Sequence, residues 1–156
     1  VSYGAPSSSG KSYREDLLDQ TNLPLDRVHF LGKVPYETYL TVLQISRVHL
    51  YLTIPFVLSW SFLEAMSAEC LIVASNTAPV TEVMSHNVNG LLVDMTSTTA
   101  IADTLHHALH HHDQLTHLKT AARQKVLTHY SLEACLNEQL QLVESCFYNQ
   151  ETVYVS

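Results

Sequence analysis

No apolar run in this 156-residue sequence approaches the roughly 18 residues that a membrane-crossing helix needs. No apolar targeting core stands at the front, because Val1–Tyr3 is too short to be one. An initiator methionine is also absent, which points to a fragment of a longer chain. Cations are scarce. Eight Lys and Arg stand against 15 Asp and Glu, a net charge of −7 with His neutral. With no basic stripe to neutralise phosphates, nucleic acid is disfavoured as a partner. The cysteines, Cys70, Cys135 and Cys146, are odd in number and lack metal-ligand spacing. Free buried thiols in a reducing, cytoplasmic setting are the simplest reading. Internal repeats, heptad arrays and low-complexity linkers are missing too; the one biased tract is rich in histidine.

What is present is a globular composition: 46% hydrophobic and 15% charged residues, in a chain long enough for one domain with a core. Short apolar runs alternate with segments of helical spacing. Strands are expected at "VSY", "RVHFLG", "VHLYLT", "LIVAS" and "LLVDM". Helices are expected at "SYREDLLDQ", "PYETYLTVLQIS", "SFLEAMSAE" and "APVTEVM". From Thr98 to about Cys146 only helices follow. "LIVAS" is continuously apolar, as a parallel strand covered on both faces should be. Alternation at this spacing predicts βαβ units. The expected fold is α/β: a Rossmann-like parallel sheet with helices on both faces and the C-terminal helices packed back on it, with "LIVAS" and "VHLYL" central. The domain is expected over 1–146, with a loose tail at 147–156. Ligands of such sheets sit beyond the carboxyl ends of the strands. That directs attention to Gly4, Gly32, Thr53–Ser61 and Ser75–Pro79.

Two stretches compete for a phosphate. Ala5–Ser12 reads A-P-S-S-S-G-K-S, a permissive form of the phosphate loop. That mechanism also needs an acid at the end of another strand for Mg²⁺, and only Asp94 ends one, late in the chain. The simpler reading is a mobile surface loop with Ser12 capping the next helix. The second stretch is "TIPFVLSWSFLEAM". Pro55 stops the strand, Ser59 or Ser61 caps the next helix, and the helix start favours an anion. Glu64, one turn further in, has the chemistry to accept two hydroxyl hydrogen bonds from a ribose; it would equally well only complement the helix dipole.

The ordered set "RVHFLG", then "VHLYLTIPFVLSWSFLEAMSAECLIVAS", "PVTEV" and "NGLLVD" resembles the C-terminal, donor-binding domain of the family 4 (group 1) glycosyltransferases of GT-B fold. The likeness runs from about Val1 to about Leu142. It implies that Glu64, matching the second acid of the family's E-x7-E pattern, holds the ribose of a nucleotide sugar. The first acid would fall at Phe56, so it is missing. Leu58 stands where the family usually has Phe, Ser59 where it has Gly, and Glu69 where it has the Gly of A-C-G-x-P. These departures leave the ribose position in place and change the donor-sugar contacts. Gly32 matches the turn beside the nucleotide base, with the backbone of Lys33 and Val34 as the base contact; an ordinary exposed lysine is the plainer reading of Lys33. Gly4 matches the glycine after the family's first strand in this domain. Glu82 matches the acid of "P-x-x-E", beside the alternative of a plain helix-surface Glu.

The resemblance thus implies the donor half of a retaining glycosyltransferase. The donor would be a UDP- or GDP-sugar, no cofactor or metal would be needed, and the isolated fragment would be inactive. The donor-binding set is Gly4, Gly32, Lys33, Val34, Phe56, Leu58, Ser59, Trp60, Ser61 and Glu64, with no catalytic residue assigned. The partner is the acceptor-binding N-terminal domain, which would also carry any peripheral membrane contact. A non-catalytic sugar-nucleotide-binding or scaffold module is the alternative, because Phe56 replaces an acid. Two further features have plain readings. His106/His110 and His107/His111 have metal-chelating spacing, but a polar solvated helix face explains them. Trp60 has the chemistry to stack on a base, yet its place beside Phe62 predicts partial core burial.

Overall fold

The computed structural model describes residues 10–22, 24, 26–54 and 57–151, with the side chains of Tyr13 and of 148–151 left out. The expected strand "VSY" and the site candidates Gly4 and Phe56 lie outside the described residues. By contact the chain divides into two compact units, Val1–Tyr39 and Leu40–Ser156.

In the first unit, α1 spans Tyr13–Gln20. Ser12 caps it in a full capping box: its hydroxyl accepts the Glu15 N–H at 3.3 Å, while the Glu15 carboxylate accepts the Ser12 N–H at 2.8 Å. Lys11 pairs with Asp19 at 2.5 Å. The Lys and Ser of the phosphate-loop pattern are therefore committed to the helix that follows them, and residues 5–9 of the pattern lie outside the described residues. Further along, the Arg14 guanidinium lies 4.7 Å from the centre of the Phe30 ring. The expected strand "RVHFLG" does not form; residues 28–31 are irregular. A strand exists only by pairing, and a run of four apolar or aromatic residues does not supply a partner. The turn at its end does form: Gly32 has φ +65°, the left-handed region that favours glycine.

The next helix, α2, spans Tyr36–Ile45 directly after Pro35 and buries Leu43. The second unit then holds three parallel strands in the order β1-β2-β3: β1 His49–Tyr51, β2 Ile72–Ser75 and β3 Leu91–Val93. Between β1 and β2 runs α3, Trp60–Ser67; between β2 and β3 runs the short α4, Ala78–Thr81. Helices α5 (Thr98–His110), α6 (Thr116–His129) and α7 (Leu132–Glu151) complete the chain. The parallel sheet and its surrounding helices are the Rossmann-like α/β fold that the alternation predicts.

The strand β2 is buried along its whole length. Because side chains alternate, Leu71 and Val73 face one way. They cluster with Leu91, Val93, Ala108 of α5 and Leu118 of α6. Ile72 and Ala74 face the other way and are equally buried. The strand β1 corrects its expectation. It is the edge of the described sheet, and Leu50 stays 40% exposed. The β2–β3 passage closes on Asn89, whose side chain accepts the Ser85 N–H at 2.7 Å and donates to the Val83 carbonyl at 3.1 Å. Gly90 beside it leaves no room: a Cβ there would come within 2.4 Å of the Met84 thioether. Finally, α7 continues past Cys146 to Glu151, further than the sequence reading of the helical region. Among the described residues, no helix is long and apolar enough to cross a membrane.

Candidate functional site

The carboxyl end of β1 leads to the start of α3. Ser59 is the N-cap, with φ −74° and ψ 141°. Its hydroxyl accepts the Ser61 N–H at 3.3 Å, and the two serine hydroxyls bond each other at 2.8 Å. Ser61 is thus the companion of the cap rather than the cap itself. Behind them, Phe62, Ala65 and Met66 form the buried face of α3. Glu64 lies one turn past the cap and is half-buried. Its backbone carbonyl accepts the Ala68 N–H at 2.8 Å. The cap, the paired hydroxyls and this carboxylate therefore share the amino-terminal half of one short helix, whose dipole is positive at that end.

The connection between β1 and α3 is held at both ends. The buried Ser75 hydroxyl, at the end of β2, accepts the Thr53 N–H at 3.1 Å and donates to the Thr53 carbonyl at 3.1 Å. At the other end, the Ser59 N–H donates to the Tyr51 hydroxyl at 3.1 Å. The Tyr51 ring in turn packs on Phe62, with centroids 4.8 Å apart.

Trp60 overturns its expectation. It is 85% exposed. The reason is helical geometry: Trp60 precedes Phe62 by two residues, which places it roughly 200° around the helix from the buried face. Leu58 is half-buried and Val57 is exposed. Gly32, Lys33 and Val34 belong to the first unit, where Lys33 is exposed and Val34 half-buried. Glu82 closes α4 and is exposed. Asp94, after β3, accepts the Thr96 N–H at 2.9 Å and its hydroxyl at 2.7 Å; those bonds hold its carboxyl below the ordinary range. It is thereby occupied as a turn residue.

The histidines pair along α5. His106 and His110 stack at 3.9 Å, and His107 and His111 at 4.5 Å. In each pair the later residue turns Nδ1 to the earlier one's carbonyl, at 2.8 and 3.0 Å. Among the described residues, no group of three or more His, Cys, Asp or Glu is arranged to hold a metal. Of the three thiols expected to be buried only Cys70 is, its thiol donating to the Leu43 carbonyl at 3.1 Å and burial pushing its pKa up; Cys135 is half-buried and Cys146 exposed, on the last helix.

The model of the family "Glycosyl transferases group 1" matches residues 4–125, most of the chain. The chain belongs to the group 1 glycosyltransferases. Solved relatives agree on the fold. Sucrose-phosphate synthase from Thermosynechococcus elongatus superposes with a TM-score of 0.74 at 26% identity, over 87% of this chain and 34% of that one. A glycosyltransferase from Rickettsia africae gives 0.57 at 19% identity, over 64% of this chain and 28% of that one. The C-terminal domain of a group 1 glycosyltransferase from Francisella tularensis gives 0.56 at 20% identity, over 67% and 53% of the two chains. Among curated protein sequences none matches. This glycosyltransferase domain thus spans about a third of the synthase.

Strand-end reasoning directs attention to Thr53–Ser61 and Ser75–Pro79, the two segments that prove to be bonded. It misses Tyr51, because a tyrosine inside a strand carries no sequence mark of where its hydroxyl ends.

Proposed function

We propose that this domain binds the donor of a sugar transfer, a nucleotide-diphospho-sugar, and forms the donor half of a retaining glycosyltransferase whose acceptor is held by the rest of a longer protein. The observation that carries the reading is Glu64, one turn inside a serine-capped helix at the carboxyl end of a parallel strand, in a group 1 glycosyltransferase. In this reading the Glu64 carboxylate accepts hydrogen bonds from the ribose hydroxyls. The diphosphate lies over the start of α3 at Ser59–Ser61, with Leu58 and Trp60 around the sugar. By the family resemblance alone, Gly4 and the backbone of Gly32, Lys33 and Val34 are further donor-binding candidates, the last three for the base.

Charge develops on the leaving diphosphate as the glycosidic bond breaks. A positive helix end fixed in advance stabilises that charge without reorganising. The chemistry calls for no cofactor, and the base is uracil or guanine. Transfer requires the acceptor half, so the domain alone binds without turning over. A cytoplasmic setting fits the free thiols, and any peripheral membrane contact belongs to the acceptor half.

Phe56 favours a second reading. The family's first acid is replaced by an apolar ring, as a non-catalytic sugar-nucleotide-binding module would allow. Two measurements separate these readings. A panel of UDP- and GDP-sugars scored by melting shift should give one clear stabiliser, because binding the native state alone raises stability. Turnover of that labelled donor by the full-length protein marks an enzyme; binding without turnover marks the module. No shift with any sugar nucleotide would overturn both.

A further inference from the structure

We propose that Tyr51 and Ser75 are positioning residues for the donor site: they fix the two ends of the β1–α3 connection and so set where the start of α3 presents Ser59, Ser61 and Glu64. This rests on the donor reading above.

The ladder between β1 and β2 ends at the pair Tyr51–Ala74. Two residues later the main chain of Thr53 has no strand partner. Ser75 replaces it: one hydroxyl, fully buried, serves both the N–H and the carbonyl of Thr53, each at 3.1 Å. Removing that oxygen leaves two main-chain groups to find water at the edge of a packed strand, which favours release of the segment. At the far end the chain must turn into α3 at Ser59. There the Tyr51 hydroxyl accepts the Ser59 N–H at 3.1 Å. The ring that carries this hydroxyl is seated on Phe62, which is itself fully buried. The first bond ties the departing chain to β2; the second ties the arriving chain to β1. Both anchors are rigid strand residues, as a preorganised site requires.

Trp60, next to Ser59, is the chain's single tryptophan and 85% exposed, so it reports directly on this helix start. The test uses the full chain and the Tyr51→Phe variant, which removes one oxygen and keeps the ring on Phe62. The expected result has three parts. The melting temperature falls by no more than a few degrees, because the ring stays seated and one neutral hydrogen bond is lost. In the free protein, Trp60 fluorescence anisotropy falls. Affinity for the preferred nucleotide sugar drops about three- to ten-fold, the worth of one neutral hydrogen bond. Ser75→Ala, which removes the other tie, should lower anisotropy and affinity in the same direction.

The free-state anisotropy is independent of any ligand, so it separates the failures. Unchanged anisotropy in both variants overturns the tie itself. Lower anisotropy with unchanged donor affinity overturns its service to the site. A wild-type protein that binds no UDP- or GDP-sugar overturns the donor reading, and the positioning role with it.

Discussion

The two ends of α3 are built on opposite principles. At its amino end nearly every anchoring bond comes from a small or aromatic hydroxyl: Ser59 to Ser61, Tyr51 to Ser59, Ser75 to Thr53. Charge is absent from the cap, and Trp60 stands in solvent. At its carboxyl end the chain reverses through Glu69 at φ 59°, a left-handed conformation that costs a side-chain-bearing residue roughly 1 kcal/mol. The N–H groups of Glu69 and Cys70 return to the carbonyls of Met66 and Ala65, both at 3.1 Å. Arg123 of α6 donates to the Ser67 carbonyl and lies 4.0 Å from the Glu69 carboxylate. One end is held by neutral hydroxyls. The other is closed by a strained turn and a cation from a neighbouring helix. The helix is thus fixed by a charged neighbour at its carboxyl end and by neutral hydroxyls at its amino end.

The strongest way to break this contrast is to remove the ring that seats the amino end of α3. Phe62 is fully buried and also supports Tyr51. Phe62→Ala should lower stability by about 3–5 kcal/mol, from lost burial and the cavity left behind. Urea unfolding followed by circular dichroism measures it; a loss under about 1 kcal/mol would mean that α3 is not seated through this ring.

A smaller effect of opposite sign sharpens the carboxyl end. Glu69→Gly relieves the left-handed strain and forfeits only an exposed ion pair of small worth. The melting temperature should rise, for a gain of about 0.5–1 kcal/mol. A fall would show that the Arg123 contact outweighs the strain.

The smallest effect lies in acid. Burial disfavours the charged form of His49 in β1 and holds its pKa below the ordinary value of about 6.5. The unfolded chain therefore takes up the proton first. The stabilising effect is whole above the ordinary imidazole range, and it is lost as pH falls through that range toward the depressed folded value. His49→Gln should flatten the stability–pH curve between roughly pH 7 and 5 relative to the parent chain; an identical slope would assign the acid sensitivity to other groups.

How much of this was legible in the sequence follows from which forces are local. The continuous apolar run of "LIVAS" marks a strand covered on both faces, and β2 is one. Ser59 is visible as a cap because capping is a near-neighbour affair. Gly32 is visible because few other residues take its turn. "RVHFLG" and the central placement of "VHLYL" were not legible, since pairing and sheet order depend on partners far along the chain. Trp60 is not legible from its neighbour Phe62, because two residues on a helix place side chains on opposite sides. Glu69 shows as a departure from the family's glycine, but only the backbone angle gives that departure a cost. The bond from Tyr51 to Ser59 needed the three-dimensional turn itself.

The central claim is that the Glu64 carboxylate grips the donor. Calorimetry of the parent chain and Glu64→Gln against the preferred nucleotide sugar tests it most directly. The substitution keeps the shape of the side chain and removes the charge. A hydrogen bond to a charged group contributes about 1.5–3 kcal/mol, so affinity should fall roughly ten- to a hundred-fold with the fold intact. Equal affinity of the two proteins would contradict the account and reduce Glu64 to a partner of its own helix.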